Sequence, residues 1–450
     1  MTSDSAKTNQ DAPAPTVPSG SINESNDARS SDDGVSGQPV ATLTVKPSRH
    51  FPFVARHPWV HASSLVAVPA DLPVGAVVDL HSSEGKWLGR GLINPASRLP
   101  VRLYVWDHLQ ALGDQLFRER IDAAINRRRS ILGSAGDSNT GDPVAAGRGR
   151  AMRLVFGESD GMSGIIVDRY ADALSIQLTA AAMAPRLDGI VSHLKERLRP
   201  SAIVVRMDEK TASNESAEAR NECVYGSLSG PIEYQQNDLR LHVDLTEGQK
   251  TGGYLDQSEN HAAAAKYLVG KSVLDVCCYN GGFGLVAAAR GASSVLGVDS
   301  SQRALAAAQQ NADRNAIGNI RFHQSDCFEL MQYATDHGAL LPEGQSLWDA
   351  IILDPPRLAG SRHKIDSAMR AYGRLNAGAI RKLKPGGILV TCSCSGRVSR
   401  SDFLNMLVDV GRRAGRDITV LESRGASPDH PMRVSCPESA YLKCFICEVA

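Results

Sequence analysis

From about residue 259 the chain alternates short apolar runs with helical spacing, and this rhythm narrows its fold more than any other feature. "KSVLDVCC", "SVLGVDS", "IRFHQSD", "WDAIILDPP" and "GGILVTCSCS" read as strands. "GGFGLVAAARG", "QRALAAAQQNADRNA", "CFELMQYATDHG" and "IDSAMRAYGRLNAGAIRKL" read as the helices between them. Strands joined by helical crossovers run parallel, and helices then cover both faces of the sheet. The expected fold class is therefore α/β. Ligands of such sheets bind outside the carboxyl ends of the strands. Asp275, Asp299, Asp326, Asp354 and Cys394 each lie at or near such an end and are expected to share one crevice.

The preceding chain reads differently. Residues 1–43 are rich in Ser, Asp, Asn, Gly and Pro and nearly devoid of large apolar side chains. A segment of that kind cannot bury enough surface to offset its ordering entropy, so it is read as a disordered tail. Residues 44–108 carry short alternating runs such as "AVVDLHS", "KWLGRGLIN" and "VRLYVWD", the pattern of a small β-rich domain. Residues 109–132 have helical spacing, 133–149 read as a flexible insertion, and strand-like pieces continue to about 245. The division is thus 1–43, 44–108, 109–247 as a helical linker with a central α/β domain, and 248–450.

Lys+Arg and Asp+Glu balance at 49 each, so no global field announces a nucleic-acid partner, and local asymmetry has to carry that argument. Eight arginines face four acids between 118 and 153, including Arg127-Arg128-Arg129. The stretch from Arg357 to Arg374 holds six basic side chains, Arg362 and Lys364 among them, and one acid. Clustered Arg beside a catalytic crevice suits phosphate contact. His57, Trp59 and His61 offer rings for stacking on bases, although Trp59 equally suits a core. The nine cysteines have no framework spacing, and only Cys444 and Cys447 form a C-x-x-C. No metal site is expected. The absence of a signal pattern or a membrane-spanning apolar run points to a reduced, cytoplasmic protein with no membrane partner.

Within the crevice, Gly281, Gly282 and Gly284 stand between the first strand and its helix, where absent side chains let a ligand approach backbone amides. The spacing matches neither the dinucleotide fingerprint nor a P-loop. Asp299 follows Asp275 by 24 residues, the place of an acid that accepts from two ribose hydroxyls. Asp326 would face an adenine ring. An isolated strand-end Asp is ordinarily a helix cap, but three in register favour a nucleoside-containing ligand.

"DVCCYNGGFG", "GVDSS", "SDCF" and "LDPPR" resemble the ordered motifs of class I S-adenosylmethionine-dependent methyltransferases. "RHPWVHASSL", "GESDGMSGIIVDRY", "GQKTGGYLDQSENH", "TCSCSG" and "DHPMRVSCPESAYLKCFICEV" extend the likeness. Together they resemble the bacterial ribosomal RNA large subunit methyltransferase I family, which makes 5-methylcytosine. The likeness is collinear over residues 44–450. It implies an RNA-binding PUA domain at 44–108, a small central α/β domain and a Rossmann-like catalytic domain. It also implies S-adenosyl-L-methionine as cofactor and ribosomal RNA as partner, and leaves a homodimer open. The implied cofactor contacts are Lys250, Asp256, Gln257, Asp275, Tyr279, Gly281, Gly282, Asp299, Ser300, Asp326 and Cys327. Ser258 departs from the family, where an Arg is usual.

Carbon 5 of cytosine is a poor nucleophile until a thiolate adds at carbon 6. In pyrimidine carbon-5 methyltransferases that thiol sits in Ser/Thr-Cys-Ser/Asn at the distance from Gly387 that Ser393-Cys394-Ser395 occupies; Cys392 falls two residues early. Cys394 is thus the expected nucleophile and Asp354 the catalytic acid. Amine methyltransferases carry an aromatic residue after the Pro-Pro, where this chain has Arg357. Uracil carbon 5, a guanine nitrogen, and an inactive RNA-binding protein remain the rival readings.

Overall fold

The computed structural model describes residues 37–132, 149–246, 252–332, 346–359 and 364–450. The tail expectation for residues 1–36 and most of the 133–149 insertion lie outside the described residues. Among the described residues, regular structure begins at Ala41, a few residues ahead of the boundary drawn at 44.

The first sheet comprises β1 (Ala41–Thr44), β2 (Trp59–Val60), β3 (Val77–His81), β4 (Trp87–Ile93) and β5 (Val101–Val105), in the order β1-β3-β4-β5-β2. A short helix α1 (Phe51–Val54) precedes β2, and α2 (Asp114–Leu132) follows β5. Alternate side chains leave opposite faces of a strand. Val78, Leu80 and Leu103 accordingly enter this unit's own core, while Val77 and Tyr104 join the core shared with α2 and the second sheet.

The second sheet holds β6 (Ala151–Phe156), β7 (Ile165–Tyr170), β8 (Ala173–Leu178), β9 (Ala202–Met207) and β10 (Arg220–Gly226) in spatial order 10-9-8-7-6. Helix α3 (Leu187–Leu198) makes the crossover between the parallel strands β8 and β9, and α4 (Glu209–Glu215) precedes β10. A hairpin, β11 (Ile232–Gln236) and β12 (Leu239–Val243), then leads toward the third sheet.

That sheet has seven strands: β13 (Ser272–Val276), β14 (Ser294–Asp299), β15 (Ile320–Gln324), β16 (Trp348–Leu353), β17 (Leu383–Ser393), β18 (Ile418–Arg424) and β19 (Lys443–Val449). Helices α5 (Ser258–Ala265), α6 (Gly282–Ala289), α7 (Gln302–Arg314), α8 (Cys327–Gln332), α9 (Ile365–Lys382) and α10 (Arg400–Ala414) accompany them. The spatial order is 15-14-13-16-17-19-18. β13 through β17 pair parallel, as the strand–helix rhythm predicts. The C-terminal strand β19 instead runs antiparallel between β17 and β18. Its run of buried positions, KCFIC, suits this interior place. The order reverses between β13 and β16, which opens a crevice at their carboxyl ends. No helix among the described residues is long and apolar enough to cross a membrane.

Arg128 on α2 joins the second sheet to the C-terminal loop. Its guanidinium is 1% exposed and donates to the Arg153 carbonyl (3.0 Å), to Asp160 Oδ1 (2.7 Å) and to the Asp429 carbonyl (2.8 Å). Removing one partner of a buried ion pair leaves the other charge desolvated and unpaired. Arg128→Ala should therefore lower the unfolding free energy by roughly 3–5 kcal/mol. Arg127→Ala, at a half-exposed side chain on the same carboxylate, should cost no more than about 1 kcal/mol. Urea unfolding of the two variants checks this.

Candidate active site

The glycine turn is shaped by its neighbours. β13 ends at Val276, and Cys277 (φ 61°), Tyr279 (φ 51°) and Gly281 (φ 90°) carry the chain through left-handed backbone into α6. Such angles are uncommon for side-chain-bearing residues and cluster at functional sites. A methyl group on Gly282 would lie 2.4 Å from the His261 ring, and one on Gly284 2.9 Å from Asp275 Oδ2. These two glycines are therefore required by packing within the protein, not only by the approach of a ligand. Asp275 is buried, and its Oδ2 accepts the Gly284 N–H at 2.8 Å. Its Oδ1 has no partner among the described residues. Burial pushes the Asp275 carboxyl up to about 7; the Gly284 N–H opposes this, and the Asp354 and Asp299 carboxylates add to it.

Asp299 closes β14. Its Oδ2 accepts from the Tyr279 amide and its Oδ1 from the Ser301 amide, both at 2.9 Å. Each oxygen keeps a second lone pair, and the side chain is half-exposed. Ser300 is exposed beside it. Asp326 lies exposed at the start of α8. Its Oδ1 accepts from the amides of Phe328 and Glu329 at the start of α8, the geometry of a helix cap. Cys327 and Cys277 share a thiol hydrogen bond, which together with burial pushes Cys277 up.

Residues 252–261 form one wall. Tyr254 packs edge-on against Tyr279, with centroids 5.1 Å apart, and Tyr279 Oη donates to the Gly252 carbonyl. Burial, then Tyr279, Cys394 and Asp354, push the Tyr254 hydroxyl up, so this ring lies among the groups expected to react. Asp256 and Gln257 are buried, and Tyr441 Oη donates to Asp256 Oδ2. Ser258, where the family carries Arg, meets Ser427 Oγ at 2.9 Å. Lys250 lies outside the described residues.

The fourth and fifth parallel strands complete the crevice. Asp354 follows β16, and its amide donates to the Val276 carbonyl. β17 pairs with β16 so that Leu353 faces Thr391, which carries Cys394 past the strand end. Cys394 is half-buried, with Sγ 3.9 Å from the Pro355 carbonyl. Ser393 and Ser395, the residues on either side, turn inward to the Tyr372 hydroxyl at 3.1 and 3.0 Å. Ser395 Oγ also accepts the Ala359 amide. Cys392 lies at 0% exposure opposite Cys444 on β19, and burial followed by Cys444 pushes its thiol well above the usual range.

The basic residues divide. Arg357 and Lys364 are exposed beside the crevice, Arg127 is half-exposed on Asp160, and Arg362 lies outside the described residues. Arg128 corrects the sequence expectation: its buried donors are spent on the protein and cannot meet a phosphate. Trp59 Nε1 donates to Glu158, so that indole too is engaged. His57 Nε2 meets Glu438 at 3.2 Å, with the Cys436 thiol beside them. Tyr254, His261, Tyr372, Tyr441 and Lys443 were not singled out in the sequence. Tyr254, His261, Tyr441 and Lys443 lie within stretches that carry the family likeness, and Tyr372 within a predicted helix, where the motif alone marked none of them as a site residue.

Residues 43–106 match the model of a PUA-like domain, and residues 268–422 that of a methyltransferase domain. The ribosomal RNA large subunit methyltransferase I of Shewanella denitrificans is 35% identical over 411 residues, covering 90% of this chain and 99% of that protein. The protein of that name from Photobacterium profundum is 35% identical over 88% of this chain and 96% of its own. Among solved structures, a methyltransferase complexed with SAH superposes with TM-score 0.75 at 19% identity over 91% of this chain and all of its own. A SAM-dependent methyltransferase from Streptococcus mutans gives 0.74 with the same identity and coverage. These two likenesses show a shared fold.

Because the native Asp275 keeps a proton that the unfolded chain releases between pH 4 and pH 7, stability should fall as pH rises through that window. At saturation this contribution is a few kcal/mol, about 1.4 for each pKa unit. Asp275→Asn, with the cofactor absent, should remove it. In urea unfolding the variant gains on the parent at pH 8 relative to pH 5.

Proposed function

The chain belongs to the ribosomal RNA large subunit methyltransferase I family, and from that premise we propose that it transfers a methyl group from S-adenosylmethionine to carbon 5 of a cytosine in large-subunit ribosomal RNA, through a covalent bond from Cys394. The observation that carries this reading is the contrast between the two thiols of "TCSCS". Cys394 is half-buried at the strand tip, with Sγ toward the Pro355 carbonyl next to Asp354, whereas Cys392 is fully buried against Cys444.

The residues present fit the methyl donor. Asp299 presents a half-exposed carboxylate at the end of β14, and the buried Asp275 Oδ1 lacks a partner beside the glycine turn. Asp299 would hold the ribose hydroxyls, with Tyr279, Gly281 and Gly282 forming the floor. Residues 252–257 would close over it, and Asp256 and Gln257 are held for that role by Tyr441 and Asn260. The donor, when bound, supplies a methyl group on a positively charged sulfur.

The protein's own work concerns the base. The Cys394 thiolate forms a bond to carbon 6, and the displaced electron pair makes carbon 5 nucleophilic. The Asp354 carboxyl meets ring nitrogen 3, where charge develops. After carbon 5 has been methylated, a base takes its proton, the ring double bond re-forms, and the sulfur–carbon bond breaks to return the thiolate. The PUA-like unit, placed at 44–108, would bind the RNA, with 109–247 as the central α/β domain. Arg357, Lys364, Arg370 and Arg374 would meet phosphates at the lip of the catalytic unit, 248–450. All four are exposed.

Cys394→Ala should reduce methylation of large-subunit RNA to background, and Cys392→Ala should keep it within a few-fold of the parent. Nucleoside mass spectrometry after incubation with labelled cofactor reads both. Product appearing as 5-methyluridine or methylguanosine, or persisting in Cys394→Ala, would overturn the reading.

A further inference from the structure

The two serines that flank Cys394 share one partner. Cys394 follows the last residue of β17, beyond the last pair of either ladder, so nothing in the sheet fixes its direction. Ser393, Ser395 and Tyr372 of α9 are all at 0% exposure. Ser393 Oγ donates to Tyr372 Oη at 3.1 Å, and Ser395 Oγ lies 3.0 Å from the same oxygen. Ser395 Oγ also accepts the Ala359 amide at 3.1 Å, and the Ser395 carbonyl accepts from Lys443 Nζ at 2.6 Å. Ala359 belongs to the segment that leaves β16 through Asp354. The Pro355 carbonyl of that segment lies 3.9 Å from Cys394 Sγ. One hydroxyl therefore joins the turn that carries the thiol to the segment that carries the acid.

That hydroxyl is itself held by packed rings. Tyr372 meets Phe403 of α10 edge-on, with centroids 5.2 Å apart, and Phe403 stacks on Phe445 of β19 at 5.9 Å. Phe445 pairs with Thr391, so the support returns to the strand that ends beside Cys394. A buried tyrosine hydroxyl is content with a single partner. This one collects the residues on both sides of a half-buried thiol.

Resting on the reading of Cys394 as nucleophile, we infer that Tyr372 is a positioning residue for the reaction: its hydroxyl, acting through Ser393 and Ser395, holds the Cys394 sulfur in attack geometry relative to Asp354. Tyr372 takes no proton from the thiol and forms no bond to the base. With both serines drawn toward α9, the side chain between them leaves the other face of the chain. Without the hydroxyl, two buried serines lose a partner and the turn is free to shift. Displacing a reacting group by about 1 Å can cost roughly a hundredfold in rate.

The test is the rate at which Cys394 becomes bonded to RNA carrying 5-fluorocytosine. Fluorine at carbon 5 cannot leave as the proton does, so the adduct persists after methyl transfer and is counted as protein that stays on RNA under denaturing conditions. Tyr372→Phe keeps the ring and loses only the oxygen. It should form the adduct roughly ten- to a hundredfold more slowly than the parent. Its affinity for S-adenosylmethionine, read by calorimetry, should stay within about twofold, because the lost constraint acts on the chemical step. Tyr372→Phe combined with Ser393→Ala should be about as slow as the slower single variant, since members of one network are not additive. Should Tyr372→Phe not fold, Ser393→Ala alone carries the test with the same expected loss. An unchanged adduct rate in the folded variant, single effects that multiply, or cofactor affinity falling in step with the rate overturns the inference and leaves Cys394 as nucleophile. A parent that forms no adduct, or forms it on another residue by peptide mass spectrometry, overturns the Cys394 reading and this inference with it.

Discussion

β17 is paired on both sides, and the crevice depends on that. Its parallel ladder with β16 sets Leu353 against Thr391, so the chain beyond each strand leaves the sheet at the same level. Its antiparallel ladder with β19 sets Ser393 against Lys443 and Cys392 against Cys444. A one-residue slip in either ladder would turn every side chain of β17 to the other face. It would drive Cys394 into the serine–tyrosine network and bring a serine to the crevice. Register is firmly specified because both faces are buried: Ile388 and Val390 on one side, Leu389 on the other.

Much of this was legible because local patterns follow local physics. The strand–helix rhythm predicted the parallel strands, and the acids and Cys394 at their ends predicted the crevice. The misreadings share a cause, which is that composition does not report facing. Arg127, Arg128 and Arg129 are consecutive on α2, and consecutive helical residues do not share a face. One is half-exposed, and the next is buried in a network reaching from β6 to the loop at Asp429. The place of β19 was hidden for a different reason. A C-terminal apolar run reads the same whether it lies at a sheet edge or between two strands. Lys443 and Tyr441 were thereby left without a role, although they stood in plain view.

The wall over the crevice is held from the far end of the chain. The Asp256 carbonyl accepts the Ser427 amide, Asn260 donates to the Gly425 carbonyl, and Arg424 reaches Asn260 and the Glu259 carbonyl. Ser258 takes part through Ser427. The family's arginine at 258 is missing, yet a guanidinium arrives at the same turn from Arg424. The segment 252–261 and the loop 424–441 thus constrain one another, and the first of them carries Tyr254.

The serines of "SCS" explain why the middle residue is a half-buried thiol at the strand tip and not a fully buried one like Cys392. Beyond a strand end nothing in the ladder keeps alternation going, and Cys394 follows the last residue of β17. Tyr372 supplies the missing constraint. Its one hydroxyl spans Ser393 and Ser395, and Ser395 is held again by the Ala359 amide and, through its carbonyl, by Lys443. Buried polar networks of this kind rigidify when fully satisfied and are costly when broken. With both neighbours drawn inward, the residue between them is turned outward. Tyr372, Ser393 and Ser395 therefore do for Cys394 what a further ladder pair would have done. They fix the direction of the residue between them, whose sulfur lies toward the Pro355 carbonyl.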